Sequence, residues 1–216
     1  DRRGITMTNI SFAIENKPEL NKRRLVHGVG VNDYDKSIWM GDKPIPEYIL
    51  WKEMLRRCHC QKWMSKAYSN VNCSEDWLYF SNFINDIKQI ENYQKFLTEK
   101  WHLDKDILCK GNKTYSKEKV CFVPKEINNL FTKREAARGE VPIGVTKIAK
   151  NGRFRSQIGK FGKNLYIGEF DTADQAYLAY KAEKEKYIKE VAEQWRGIIA
   201  QNVYLALTSY TVSIDD

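Results

Sequence analysis

The chain has 216 residues, with 36 Lys and Arg against 28 Asp and Glu, a formal net charge of +8, and 42% hydrophobic and 12% aromatic side chains. That apolar content excludes a disordered chain and suffices for one large core or two small ones. No run is long enough to span a membrane, no charged-then-apolar leader opens the sequence, and five scattered cysteines exclude a disulfide scaffold, so a soluble, cytoplasmic, reduced protein is expected.

Residues 1–24 read as a polar segment with a short apolar patch and no chemistry. Leu25 to Val31 reads as a short strand stopped by the turn-prone Asn32-Asp33. Pro44 and Pro46 precede a helix in which Tyr48, Trp51, Met54 and Leu55 share an apolar face. Cys58-His59-Cys60 with Cys73 has a pair spacing of one residue instead of the two that zinc sites use, so buried thiols are expected and structural zinc is not. Ser74 is placed as an N-cap before a second aromatic helix carrying Trp77, Phe80, Phe83, Ile84 and Ile87.

From Trp101 onward the pattern predicts strand, loop, strand, helix: 101–108, 110–116, 120–124 and 125–131. On the first strand His102, Asp104 and Asp106 alternate onto one face, placing a base and two carboxylates together. Hard divalent cations prefer such oxygen ligands, and phosphodiester cleavage benefits from a metal that stabilises the leaving oxygen. Asn128 or Asn129, at the start of the helix, is placed to complete the sphere. The same residues also fit the wet face of an edge strand, with Asp104 and Asp106 paired to neighbouring lysines.

The order Tyr48-x-x-Trp51-x-x-Met54-x-x-Arg57-Cys58, Tyr68, Cys73-x-x-x-Trp77-x-x-Phe80-x-x-Phe83, Leu103-Asp104-Lys105, Tyr115-Ser116-x-Glu118 and Asn128 resembles the phage-encoded HNH homing-endonuclease-like proteins over residues 25–131. The resemblance implies a ββα-metal fold, DNA cleavage dependent on magnesium or manganese, and a phage or mobile-element origin. Together with the strand face described above, it makes His102, Asp104, Lys105 and Asn128 the candidate catalytic residues, and Asp104, Asp106 and Asn128 the candidate metal ligands. The family pattern has histidine after the aspartate, and here Lys105 stands there; lysine is a poor base near neutral pH. The middle asparagine of the motif falls on Lys119, with Asn112 in the loop as a substitute. Either His102 supplies the base or the site is inactive.

A basic linker, 133–141, is the first part of a window from Lys133 to Lys163 that holds nine cations against two acids, +7 of the chain's net +8. So concentrated a charge points to a polyanionic partner, against the plainer reading of a solvated sheet face. Three short strands are predicted at Ile143 to Lys147, Arg153 to Gly159 and Leu165 to Phe170. In the middle one Arg153, Arg155 and Gln157 alternate with Phe154, Ser156 and Ile158. Thr172-Ala-Asp-Gln175 has the spacing of a capping box and opens a helix to Trp195. The run Gly144-Val-Thr, Gly152-Arg-Phe-Arg-Ser-Gln-Ile158 and Tyr166-Ile-Gly-Glu-Phe-Asp-Thr-Ala-Asp-Gln-Ala-Tyr-Leu-Ala-Tyr180 resembles the Apetala-two and ethylene-response-factor type of DNA-binding domain. That resemblance implies a three-stranded antiparallel sheet in the DNA major groove with one helix behind it, over 142–195. It matches Lys147, Arg153, Arg155, Gln157 and Tyr166 to DNA-reading positions, while Lys160 and Lys163 are read as loop lysines on phosphates. Residues 196–216 are left as a C-terminal tail. The whole chain reads as an α+β, sequence-directed endonuclease acting on double-stranded DNA, or as a non-catalytic DNA-binding protein, a regulator or counter-defence factor, on a degenerate HNH core.

Overall fold

Helices and strands mix along the chain in an α+β arrangement, described for residues 24–60, 70–131 and 141–214 by a computed structural model. The N-terminal segment 1–23, Tyr68 of the aromatic pattern and the basic residues Lys133, Arg134 and Arg138 lie outside the described residues. Two compact units result, the first ending at Phe122 and the second beginning at Val123, inside the segment assigned above to the nuclease. No helix among the described residues is long and apolar enough to cross a membrane.

The first unit opens with a correction. Val26 to Gly30 is a tight reversal instead of a strand, because His27 and Gly28 both adopt positive φ and Val26 and Gly30 bond to each other across the turn. The hairpin β1 (Trp39–Met40) and β2 (Lys43–Pro44) leads to α1 (Pro46–His59), which starts with proline at its first position, where the missing N–H costs nothing. Trp51, Met54 and Leu55 bury the inner face of α1 against Trp77 and Phe80. Gly30 sits so close beneath it that an added Cβ would lie 2.4 Å from Leu55 Cδ1. The Trp51 indole donates to the Trp77 carbonyl at 2.7 Å, and the Trp77 indole donates to Asp86 at 2.9 Å, so both buried donors are satisfied.

β3 (Asn72–Cys73) precedes a 3-10 turn over Glu75–Leu78, and α2 (Phe80–Ile87) begins only after it. Ser74 flanks that turn without a side-chain cap. α3 (Tyr93–Glu99) presents Tyr93 and Phe96 to Phe122. β4 (His102–Asp104) pairs with β6 (Cys121–Val123), and β5 (Thr114–Tyr115) pairs in parallel with β3.

In the second unit α4 (Lys125–Leu130) is followed by the antiparallel sheet β7 (Val145–Lys147), β8 (Phe154–Lys160) and β9 (Lys163–Phe170). β8 and β9 join through a two-residue turn, Phe161-Gly162, with positive φ at both positions, as the twist of a hairpin requires. One face of the sheet, through Val145, Ser156 and Ile158, is buried by α5 (Ala173–Gln194) through Ala176, Tyr180, Tyr187 and Ile188. The Thr172 hydroxyl accepts from the Gln175 amide at 3.2 Å and caps that helix, as its spacing predicts.

The segment left as a tail belongs to this core. α6 (Gln201–Thr208) packs on α5 with Val203 and Leu207 buried. The Val212 carbonyl accepts from Lys181 at 2.6 Å, and the Val212 amide donates to Glu185 at 2.8 Å.

Gly144 shows how tightly sheet and helix meet. Its φ is +74°, and an added Cβ would fall 2.0 Å from the Tyr180 ring. Gly144→Ala is therefore expected to cost about 2–4 kcal/mol, left-handed strain and overpacking together. Urea unfolding checks this; a loss under about 1 kcal/mol would mean that the helix stands off the sheet.

Candidate functional site

The sheet of the second unit has an uncovered face. Strand alternation turns Ser156 and Ile158 to the helix and Arg155 and Gln157 outward. Register extends that outer row across the sheet: Arg155 has Thr146 opposite it on one side and Glu169 on the other, and Gln157 has Tyr166 opposite it. Asn164 lies opposite Gly159, which has no side chain to hold a ligand away. A bulge between Ser156 and Gln157 resets the alternation in β9 and lets Tyr166, 63% exposed, join this face.

The arginines are held by surface carboxylates. Arg153 Nε donates to Asp171 Oδ1 at 3.0 Å, its terminal nitrogen donates to the Glu169 carbonyl, and Arg155 donates to Glu169 Oε1 at 3.3 Å. Exposed pairs of this kind are worth about 0–1 kcal/mol, so they orient the guanidiniums without locking them.

Two lysines are not where the sequence reading puts them. Lys147 lies opposite Phe154, out of phase with Arg155, and its neighbour Thr146 takes the outer position. Lys160 is no loop lysine: it closes β8 on the helix side and is 7% exposed. Its ammonium donates to Glu183 at 2.5 Å, lies 3.6 Å from Glu190 and covers the Tyr187 ring at 5.1 Å. Lys163, by contrast, is exposed at the start of β9.

Lys160→Ala is accordingly expected to lower stability by about 1–3 kcal/mol, since both carboxylates reach solvent, and to leave duplex affinity unchanged. The bonded Lys160 ammonium holds the Glu183 carboxyl below its ordinary value. That contribution is present above the ordinary carboxylate pKa and fades as pH falls through the depressed folded value, so the wild type loses this increment in acid and the variant does not. Thermal melts across that range check it; a variant that melts like wild type but binds DNA weakly would return Lys160 to the DNA surface.

In the first unit, β4 is shorter than the sequence predicts. Asp104 Oδ1 accepts from the amides of Asp106, at 2.7 Å, and Ile107, at 2.9 Å, and this side-chain turn ends the strand. Asp106 therefore leaves the face that it was expected to share with His102 and Asp104. Asp104 is half-buried and His102 is exposed. Burial pushes the Asp104 carboxyl above the usual carboxylate range, against the pull of its two amide donors.

Lys105, the residue in the histidine position, points inward and is 6% exposed. Its ammonium donates to Asp106 Oδ1 at 2.5 Å and to the Asn112 carbonyl at 3.2 Å. Asn112 answers with its side chain: Nδ2 donates to the carbonyls of Lys105 and Thr114, both at 2.8 Å, and Oδ1 accepts from the Thr114 amide at 3.1 Å. Lys105 and Asn112 thus tie the two ends of the loop between β4 and β5. Asn128 lies on α4, in the second unit.

These residues do not fit the magnesium or manganese ion implied above. Asp104 caps two amides, Asp106 is neutralised by Lys105, and the ammonium stands where a neutral base belongs. Among the described residues no group of three or more His, Cys, Asp or Glu side chains is disposed to hold a metal ion.

No protein-family model, no curated protein and no solved structure matches this chain.

Proposed function

We propose that the protein binds double-stranded DNA, reading sequence with the outer face of β7, β8 and β9, and that its N-terminal unit is a degenerate HNH-type core that supports binding without cutting. The observation that carries this reading is the row Thr146, Arg155, Gln157 and Tyr166, uncovered on one face of a sheet whose other face is closed by α5. A two- or three-stranded surface of this size enters the major groove, where arginine pairs bidentately with guanine and glutamine with adenine. Lys150 and Lys163 lie exposed in and beside the turns that flank β8 and supply phosphate contacts.

Titrating a labelled duplex at rising salt tests the reading. Affinity should fall steeply, by a log–log slope of roughly 0.9 per phosphate neutralised. A flat salt profile would remove DNA as the partner.

The endonuclease reading keeps one support: His102 and Asp104 share the outer face of β4, and His102 is exposed. Incubation with supercoiled plasmid plus magnesium or manganese decides between the two. Intact plasmid alongside tight duplex binding is the expected result, and nicked or linear product abolished by His102→Ala would reinstate cleavage.

A further inference from the structure

Outside both sites, the end of α1 and β3 bring two buried thiols and an imidazole together. Cys58 is 8% exposed and Cys73 7% exposed, on elements packed against each other. Cys73 Sγ lies 3.8 Å from Nε2 of His59, the neighbour of Cys58 in the chain, and a thiol hydrogen bond links Cys58 to Cys73. All five cysteines are free. Lys105, from the loop after β4, and Arg57, from α1, add positive charge near Cys58.

We propose that Cys58 and Cys73 are a peroxide-responsive thiol pair that closes into a reversible disulfide. The roles of the two sulfurs differ. The hydrogen bond with Cys58 and the neighbouring His59 lower the pKa of the Cys73 thiol, against the opposing effect of burial. The Cys58 thiol is raised, by that same hydrogen bond and by burial, and stays protonated. Cys73 is thus the nucleophile and Cys58 the resolving thiol.

The chemistry balances with hydrogen peroxide as the only co-reactant. His59 takes the Cys73 proton, and the thiolate attacks one peroxide oxygen. The S–O bond forms, the O–O bond breaks, and the departing hydroxide leaves as water with the proton from His59. The Cys58 sulfur then attacks the Cys73 sulfenic sulfur, the S–S bond forms, the S–O bond breaks, and the second water leaves with the Cys58 proton. Two thiols lose two electrons and two protons, and the peroxide is reduced to two waters. A small dithiol reverses the step by thiol–disulfide exchange and is itself oxidised. The bond would tie the last turn of α1 to β3, whose partner β5 carries the Tyr115 ring beneath the Lys105 ammonium.

The test is peroxide treatment of the full chain, followed by thiol counting and non-reducing peptide mapping. Titratable thiols should fall from five to three, the intact mass should drop by two hydrogens, and one cross-linked peptide pair should contain Cys58 and Cys73. Dithiothreitol should restore all five. In Cys58→Ser, Cys73 should stop at a sulfenic acid that dimedone traps, and in Cys73→Ser thiol loss at Cys58 should slow by about tenfold or more. A cross-link through Cys60 or Cys109, sulfinic acid at Cys73 without a cross-link, or five thiols surviving in the wild type would overturn the proposal. So would stoichiometric binding of zinc ion alone that shields Cys58 and Cys73 from peroxide, because the pair would then be ligands. The wild-type measurement decides even if a serine variant fails to fold.

Discussion

Lys105→Ala should destabilise the first unit by about 2–4 kcal/mol, an unusually large loss for a lysine, because this one is a structural part of a loop. The substitution removes a side chain that is 6% exposed, its bonds to Asp106 and the Asn112 carbonyl, and its cover over the Tyr115 ring at 5.9 Å. Asp106 is half-exposed and can return to water, which keeps the cost below that of orphaning a buried carboxylate. Asn112→Ala should be damaging by the same route, since one amide group serves two carbonyls and an N–H. Urea unfolding followed by tryptophan fluorescence reads both. Lys105→His is the sharper variant: the shorter imidazole gives up the buried ammonium contacts, so stability should fall and plasmid cleavage should stay negligible. Cleavage rising with that single change would show that the unit had kept its metal site and lacked only a base.

Arg155→Ala should cost about 1–3 kcal/mol of binding on a preferred duplex and flatten the preference among sequences, because a bidentate arginine discriminates guanine from the other bases. Stability should hardly change, since Arg155 gives up only the exposed contact with Glu169. Glu169→Gln is the reciprocal case. It releases Arg155 and removes a negative charge from the outer face, so affinity should rise while specificity is kept. Competition titrations against a panel of duplexes separate the outcomes. An equal loss on every sequence would make Arg155 a phosphate contact.

The sheet and its helix were legible because their signals are local. Alternation from Phe154 to Ile158 and the cap at Thr172 depend on neighbours within a few residues. What the strand pattern did not carry was pairing register, which is a non-local property. Thr146 displaced Lys147 from the outer row because β7 meets β8 with Val145 opposite Ser156. Lys160 was misplaced because counting charges cannot tell a solvated lysine from one folded under two glutamates on α5. α6 and the Val212 strap have no strong caps or periodicity, and only packing on α5 explains their order. In the first unit the alternation of His102, Asp104 and Asp106 was real as a pattern and broken as a structure. Asp104 uses its own carboxylate to turn the chain before Asp106 is reached.

The most direct test of the central claim maps where a duplex touches the protein. Backbone amide shifts, followed as a specific duplex is titrated into the full chain, should move at Thr146, Arg155, Gln157, Asn164 and Tyr166 and stay still along the solvent side of α5 at Ala182, Lys186 and Glu193. Shifts confined to α5, or to β4 of the first unit with the sheet silent, would contradict the assignment of this sheet as the DNA-reading surface.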